Sequence, residues 1–289
     1  MLCQWGASLP ELPEVETVRR GLERQLKGFR VDRVEVLRAR AIAAPNDSTI
    51  FRLALEGCQV GAWSRRGKYL LADLGRDGAQ AGTWGVHLRM TGQFLWLETP
   101  REPCRHTRVR LWNIQGHELR FVDLRSFGEM WWVPAGLPPE AVMTGLKRLG
   151  PEPFGAEFNA RYLKQRLEGS KRSIKAALLD QSLVAGVGNI YADESLFAAG
   201  IAPATPAGEV ATLQLERLRR SLVEILETSI GAGGTTFSDF RDLSGTNGNY
   251  GGQAWVYRRT GEPCRRCSTP IQRERLAGRS THWCPSCQR

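Results

Sequence analysis

The hydrophobic pattern changes its period midway along the chain, and this change limits the possible folds more than any other feature. From about residue 30 to 135 the sequence is a series of short runs rich in β-branched and aromatic residues: VDRVEVLR, GCQVGAWS, KYLLADL, TWGVHLRM, GQFLWLE, TRVRLWNI, HELRFVDL and EMWWVP. Gly, Asn, Asp and Pro separate these runs at the spacing of an antiparallel sandwich or barrel. LGPEPFG (149–155), with two prolines and two glycines, reads as a linker. Beyond it, NARYLKQRLEG, SIKAALLDQ, NIYADESLFAAG and VATLQLERLRRSLVEILETSIGAG carry apolar residues at helical spacing. Gly200 follows the last periodic residue of the third segment, and Pro203 just beyond it stops that helix. Ahead of the β-rich part, apolar residues at 12, 15, 18, 22 and 26 mark one more helix. Pro13 suits its first turn, and Glu14 and Glu16 complement its positive end. The pattern predicts an α+β chain: an N-terminal antiparallel β-sandwich with flanking helices over 10–148, the linker 149–155, a helical domain over 156–250 and a C-terminal element over 251–289.

That C-terminal element carries a metal-site signature. Cys264, Cys267, Cys284 and Cys287 form two close pairs, CRRC and CPSC, separated by 16 residues. Two such turns can close a tetrahedral shell around one structural zinc ion, leaving no open position. Two disulfides are the alternative, and a chain with no export signal disfavours them. The remaining cysteines, Cys3, Cys58 and Cys104, are scattered and read as small apolar residues. Charge points the same way as the metal site. The chain carries 40 Lys and Arg against 30 Asp and Glu, a formal net charge of +10. Residues 258–289 alone hold eight arginines against two glutamates, a concentrated cationic element suited to a polyanion such as nucleic acid. No apolar run reaches the roughly 20 residues a membrane helix needs. The first nine residues lack the marks of a secretory or transit peptide, so the cytosol is the expected compartment.

The stretch DQSLVAGVGNIYADE places two helices around a Gly-rich turn, with the second helix opening at Asn189. Backbone amides at such a turn and helix start can seat a phosphate, and Lys171 and Lys175 on the preceding segment could add cationic contacts. A tight helical hairpin whose glycines merely permit close packing is the competing reading of that stretch alone; the Arg-rich metal hairpin tips the balance toward phosphate binding.

The successive segments LPELPEVETVRRG, RRGKYLL, HLRMTG, DLRSFG, LVAGVGNIYADESLFAAGIAP and GRSTHWCPSCQR resemble, in order, the signatures of the bacterial formamidopyrimidine-DNA glycosylase family. The resemblance runs from Leu9 to Arg289, and Leu12 stands where the related endonuclease VIII group has Gly. It implies a helix-two-turn-helix domain ending in a zinc hairpin. It also implies a bifunctional glycosylase and AP lyase acting on oxidised purines in double-stranded DNA: a monomer at the bacterial nucleoid needing one structural zinc and no other cofactor. Pro10 then matches the family's nucleophile, a terminal secondary amine that attacks the sugar C1′ as a Schiff-base catalyst. Glu11 matches the general acid, Lys68 a lysine assisting β-elimination, and Arg279 an arginine that grips phosphates beside the lesion and serves δ-elimination. Met90, Arg125 and Phe127 match three residues that fill the void left by the everted base: a flexible wedge, a fork for the orphaned cytosine and an aromatic plate. His87, His106 and Tyr257 match residues that hold the DNA backbone, and Arg108 stands where some relatives carry a second histidine. The loop 238–253 would cover the everted base, and its text SGTNGNYGGQ leaves the lesion preference open.

One feature conflicts with this chemistry. Pro10 as written is an amide within the chain and cannot form an iminium. The expectation that removes the conflict is that residues 1–9 are absent from the working protein. Leucine codons UUG and CUG can serve as bacterial starts, so translation from Leu9 followed by removal of its Met would expose Pro10. The alternatives are a non-catalytic damaged-DNA binder whose proline is capped by the extension, and an RNA-binding zinc ribbon, which leaves PELPEVET and DLRSFG unexplained.

Overall fold

Strand-forming and helix-forming residues separate into two units in the structure, a computed structural model that describes residues 10–235 and 248–289. The first unit runs to Lys147 and includes the described ends of Ala232–Asn249; the second consists of Arg148–Gly231 and Tyr250–Arg289. Two sequence-based boundaries shift. Residues 149–155, expected as a linker, belong to the second unit. The Gly150 N–H donates to the Gln181 carbonyl at 2.8 Å and the Ala185 N–H to that of Pro151 at 3.0 Å. A Cβ on Gly150 would lie 2.4 Å from the Ser182 carbonyl oxygen, so the glycine serves close packing rather than flexibility. The segment Ala232–Asn249 returns to the first unit instead of closing the helical domain.

The first unit opens with α1 (Leu12–Gln25), whose Val15, Val18 and Leu22 face the core as their spacing requires. Nine strands follow: β1 (Arg33–Val36), β2 (Ile42–Ala44), β3 (Gln59–Arg66), β4 (Tyr69–Arg76), β5 (Ala79–His87), β6 (Gly92–Leu97), β7 (Thr107–Trp112), β8 (Glu118–Asp123) and β9 (Glu129–Pro134). They form a four-stranded sheet in the order β1-β7-β8-β6 and a five-stranded sheet in the order β2-β9-β5-β4-β3. Inward rings from both sheets meet in one chain of contacts: Trp63 to Trp84 at 5.3 Å, Trp84 to Phe94 at 5.9 Å and Phe94 to Phe121 at 5.2 Å between centroids. This is the packed middle of a β-sandwich. Two local elements depart from the sequence reading. The helix α2 (Ser48–Leu55), capped by the Asp47 carboxylate accepting from the Thr49 N–H at 2.7 Å, buries Phe51 and Leu55 in the same core. The three-residue β2 pairs parallel to β9, while every other pairing is antiparallel. A one-turn helix, α3 (Pro139–Val142), follows β9.

The second unit contains α4 (Ala160–Leu167), α5 (Ile174–Leu178), α6 (Asn189–Ala199) and α7 (Thr212–Gly231), followed by the hairpin β10 (Gln272–Leu276) and β11 (Arg279–Trp283). All four predicted helices are present. Gly200 ends α6 in the left-handed conformation at φ +70°, and its N–H donates to the Phe197 carbonyl. α6 is buried on every side, including Asp193, Glu194 and Ser195, so it is the central helix of the unit. Ala277 and Gly278, both at positive φ, make the two-residue turn of the β10–β11 hairpin. Among the described residues no helix is long and apolar enough to cross a membrane.

Candidate active site and nucleic-acid interface

In the first unit, Pro10 and Glu11 are buried at the N-terminal end of α1. Glu11 is the N-cap, and its carboxyl accepts from the backbone N–H of Glu14 in a capping box. Glu14 answers from the other side: its Oε2 accepts the Glu11 N–H at 2.9 Å and its Oε1 accepts the Thr235 N–H at 2.9 Å. One buried carboxylate therefore fixes both the residue after Pro10 and the segment that leads into 236–247. That loop and residues 1–9 lie outside the described residues, so the expectations for the leader and for most of 238–253 concern parts not described. Of that loop's described end, the Asn249 N–H bonds the Ala232 carbonyl at 2.9 Å.

Lys68 occupies the two-residue turn between β3 and β4, beside Gly67 at φ +57°. The turn is anchored to α1. Glu16 accepts from Arg65 at 3.3 Å, from Arg20 at 2.9 Å and from Arg19 at 3.1 Å. Burial pulls the Glu16 carboxyl up, but the hydrogen bonds and charges of these arginines outweigh it and hold its pKa below the usual value. Arg65 also donates to the Gly67 carbonyl at 2.9 Å, which stiffens the turn. His87 sits across the strand pair from Tyr69, with ring centroids 4.5 Å apart, and its Nδ1 accepts the Arg89 N–H at 2.9 Å. Burial, then the charges of Arg89 and Lys68, push its pKa down to about 3, so the ring is neutral. Burial, then the charges of Arg105 and Arg108, lower the His106 pKa against the opposing charge of Asp123, and its Nε2 accepts from Arg105 Nε at 2.9 Å. Arg108 is buried, donating to the carbonyls of Asp123 at 2.9 Å and Arg105 at 3.0 Å.

The three expected void-filling residues lie on two adjacent loops. Met90 is in the turn between β5 and β6, while Arg125 and Phe127 are in the loop between β8 and β9. Arg125 is exposed and stacks on the Phe127 ring at 4.9 Å, and Phe127 itself is 40% exposed. That exposure sets aside the core reading of Phe127. Met90 is half-buried.

In the second unit, the turn between α5 and α6 is stitched by polar side chains. Gln181 donates to the Leu179 and Val187 carbonyls at 3.1 and 2.8 Å and accepts the Gly186 N–H at 2.9 Å. Asp180 accepts from the Ser182 N–H and hydroxyl at 2.9 and 2.7 Å and from Arg172 at 2.8 Å. α6 starts at Asn189 behind Gly188, which supplies no side-chain cap, the form of helix start that suits an anion. Lys171 is exposed just before α5.

Lys175 corrects the sequence expectation. It was expected to contact a phosphate, yet it is fully buried. Its Nζ pairs with Asp193 at 2.6 Å and donates to the Ser280 carbonyl at 2.7 Å and the Thr281 hydroxyl at 2.8 Å. A desolvated, paired ammonium cannot also reach a solvent-side phosphate. Asn189 joins the same strut, its Nδ2 donating to the Ser280 carbonyl at 2.9 Å while its Oδ1 is buried without a partner. Asp193 also accepts the His282 N–H at 2.9 Å, and the His282 ring packs edge-on against Tyr257 at 4.9 Å. These contacts fix residues 280–282, directly after the exposed Arg279. Glu194, next on α6, accepts the N–H groups of Trp255, Val256 and Tyr257 at 2.8 to 2.9 Å.

The four predicted metal ligands come together, with their Sγ atoms all within 4.8 Å of one another. The Cys264–Cys287, Cys267–Cys284 and Cys267–Cys287 sulfur separations are 3.9, 3.4 and 3.5 Å. A tetrahedron with zinc–sulfur bonds of about 2.3 Å has edges of about 3.8 Å, whereas a disulfide needs about 2.05 Å. The cluster fits zinc and not disulfides. Burial raises the Cys287 thiol to about 12, while hydrogen bonds from Thr269 lower Cys267 to about 6. Four thiolates coexist there only around a cation. Arg266, inside the first cysteine pair, lies over the rings of Phe197 and Trp255 at 4.5 and 5.3 Å and ties the knuckle to α6.

Sequence reasoning did not single out Asp123, Gln181, Asp193 or Glu194. The signal for two of them was available: adjacent acids in NIYADESLFAAG, a helix otherwise apolar on all faces, must be buried and therefore partnered.

Comparison with known proteins gives a consistent result along the chain. The model of the formamidopyrimidine-DNA glycosylase N-terminal domain matches residues 9–130. The model of that family's H2TH domain matches 149–241, and that of a zinc finger found in FPG and IleRS matches 261–289. The chain is 68% identical over 280 residues to a formamidopyrimidine-DNA glycosylase of Parasynechococcus marenigrum (strain WH8102), covering 97% of this chain and 100% of the relative. It is 64% identical to one of Prochlorococcus marinus (strain MIT 9313), again covering 97% and 100%. Among solved structures, a variant of Lactococcus lactis FPG in complex with DNA containing Fapy-dG superposes with a TM-score of 0.88 at 34% identity, covering 97% of this chain and 100% of that one. The Lactococcus lactis Fpg complex with DNA containing an abasic site gives 0.86 at 34% identity, covering 96% and 99%.

Proposed function

Because the chain belongs to the formamidopyrimidine-DNA glycosylase family, we propose that it removes oxidised purines from duplex DNA and then cleaves the strand at the resulting abasic site, with Pro10 as nucleophile. The single observation that carries this reading is the placement of Pro10 and Glu11 together at a capped, buried helix start. With its nitrogen uncapped, Pro10 attacks the sugar C1′ as the C1′–base bond breaks, and Glu11 delivers a proton to the ring oxygen as the sugar opens. The proton shed by the nitrogen neutralises the departing base, and an iminium results. Loss of a C2′ proton then expels the 3′ phosphate, and a second elimination expels the 5′ phosphate. Lys68, on a turn held by Arg65 and Glu16, serves the first elimination, and Arg279, at the start of β11, the second. His87, neutral, holds the DNA backbone as a hydrogen-bonding group rather than as a charge, together with His106. Met90, Arg125 and Phe127 fill the vacated position in the duplex, while Lys171, Asn189 and Tyr257 hold phosphates. Cys264, Cys267, Cys284 and Cys287 hold one zinc ion, whose chemistry is structural because all four positions are filled by protein.

The reading requires a working protein that begins at Pro10. The family match begins at residue 9, immediately before Pro10. Borohydride trapping on a duplex containing 8-oxoguanine tests it. Protein starting at Pro10 should give a covalent adduct, and protein starting at Met1 none. Absence of an adduct from the shorter form, with retained binding to damaged duplex, would favour a binder without catalysis.

A further inference from the structure

The two loops that present Met90, Arg125 and Phe127 share a single buried anchor, the carboxylate of Asp123. It terminates β8, opposite Gly92 at the start of β6, and is fully buried. Its Oδ1 accepts the Thr91 hydroxyl, one residue from Met90, and the Arg125 N–H at 3.2 Å. Its Oδ2 accepts the Gly128 N–H at 2.6 Å, one residue beyond Phe127. Thr91 closes the triangle, because its Oγ1 also accepts the Arg125 N–H at 3.0 Å. Asp123 is itself immobilised through its backbone: its N–H donates to the His106 carbonyl, and its carbonyl accepts from Arg108 Nε, both at 2.9 Å.

Each loop carries a non-glycine residue in the left-handed region, Arg89 at φ +53° and Ser126 at φ +54°. Such conformations persist where surrounding bonds over-determine them. Both loops also rest on one ring: a Cβ on Gly92 or on Gly128 would come within 2.7 or 2.6 Å of Phe121 Cζ. The tips are exposed while their base is locked, which is the arrangement that presents a contact group in one orientation.

Resting on the reading of these three residues as void-filling groups, we propose that Asp123 is a positioning residue for recognition of the base opposite the lesion. It sets the spacing between the Met90 wedge and the Arg125–Phe127 pair, so that the Arg125 fork meets the orphaned cytosine as the wedge enters. Asn in its place turns one acceptor into a donor facing an N–H or hydroxyl that must donate, leaving buried donors unpaired. Val in place of Thr91 removes the bridging hydroxyl at nearly the same volume and leaves Asp123 intact.

The experiment measures single-turnover excision of 8-oxoguanine opposite cytosine and opposite adenine by protein starting at Pro10. The variants are D123N, T91V, R125A and D123N/R125A, each with its melting curve. D123N and T91V should slow excision opposite cytosine by on the order of ten-fold, the equivalent of one lost buried hydrogen bond to a charged group. Both should draw the cytosine-to-adenine rate ratio toward that of R125A. The double variant should show no further change in ratio, because both substitutions act through the same group. T91V carries the test if D123N does not fold. Equal slowing opposite both bases, or an unchanged ratio in folded T91V and D123N while R125A loses it, overturns the role of Asp123. An unchanged ratio in R125A instead overturns the reading of Arg125 as the base-reading residue, and the proposal with it.

Discussion

Lys175 separates a buried strut from a phosphate contact, and one substitution distinguishes them. Replacing Lys175 with Met keeps the length of the side chain and removes the charge. Asp193, fully buried, then loses its cation, while the Ser280 carbonyl and Thr281 hydroxyl lose a donor. Breaking a buried ion pair from one side costs about 3–5 kcal/mol, because the remaining charge is left uncompensated. Replacing both partners, as Lys175→Met with Asp193→Leu, should recover a large part of that loss, although the His282 N–H then loses its acceptor. The assay combines thermal melting with the salt dependence of binding to a damaged duplex. A phosphate contact contributes about 0.9 to the slope of log K against log salt. A strut contributes nothing to that slope, so Lys175→Met should weaken binding by the same factor at every salt concentration and lower the melting temperature. A slope smaller by about one, with unchanged melting, would refute the assignment and return Lys175 to the DNA surface. Lys171→Met is the internal control: exposed, it should change the slope and leave the melting temperature where it was.

Two further outcomes follow from the same structure. Cys284→Ser, or stripping the metal with a chelator, should release the β10–β11 hairpin and abolish binding to damaged duplex while the first unit keeps its cooperative melting transition; binding that survives either treatment would deny the hairpin its role. Stability should also fall in acid through His87, whose folded value of about 3 lies below its ordinary value of about 6.5. Above pH 6.5 the ring is neutral in both states and contributes nothing. Below it the unfolded chain takes up a proton that the folded ring refuses, so stability is lost as pH falls toward 3. His87→Gln should flatten the melting-temperature curve across that window, and a curve parallel to the parent's would contradict the assignment.

Periodicity located α1, eight of the nine strands and all four helices of the second unit, because each is an element whose burial shows in local spacing. It did not locate α2 or the parallel β2: segments of three to eight mixed apolar residues fit either state, and the core that decides between them is assembled from distant strands. The same distinction explains the site. Cysteine spacing is local, so the metal cluster was legible outright. The role of a cation is not local. Lys171 and Lys175 stand four residues apart with the same chemistry, yet one is exposed and the other is buried against an acid 18 positions further on. What converts a lysine from ligand contact to strut is the presence of a buried carboxylate, and Asp193 could be placed only once α6 was known to be enclosed on all sides. Buried and half-buried acids join distant segments of this protein. Glu14 ties α1 to Thr235, Glu16 ties it to the Lys68 turn, Asp123 ties the β5–β6 and β8–β9 loops together, and Asp193 and Glu194 fix the segments around His282 and Tyr257. A surplus of positive charge attracts DNA without selecting a register on it. These carboxylates instead fix the segments they bond in one arrangement, which a mere surplus of charge cannot do.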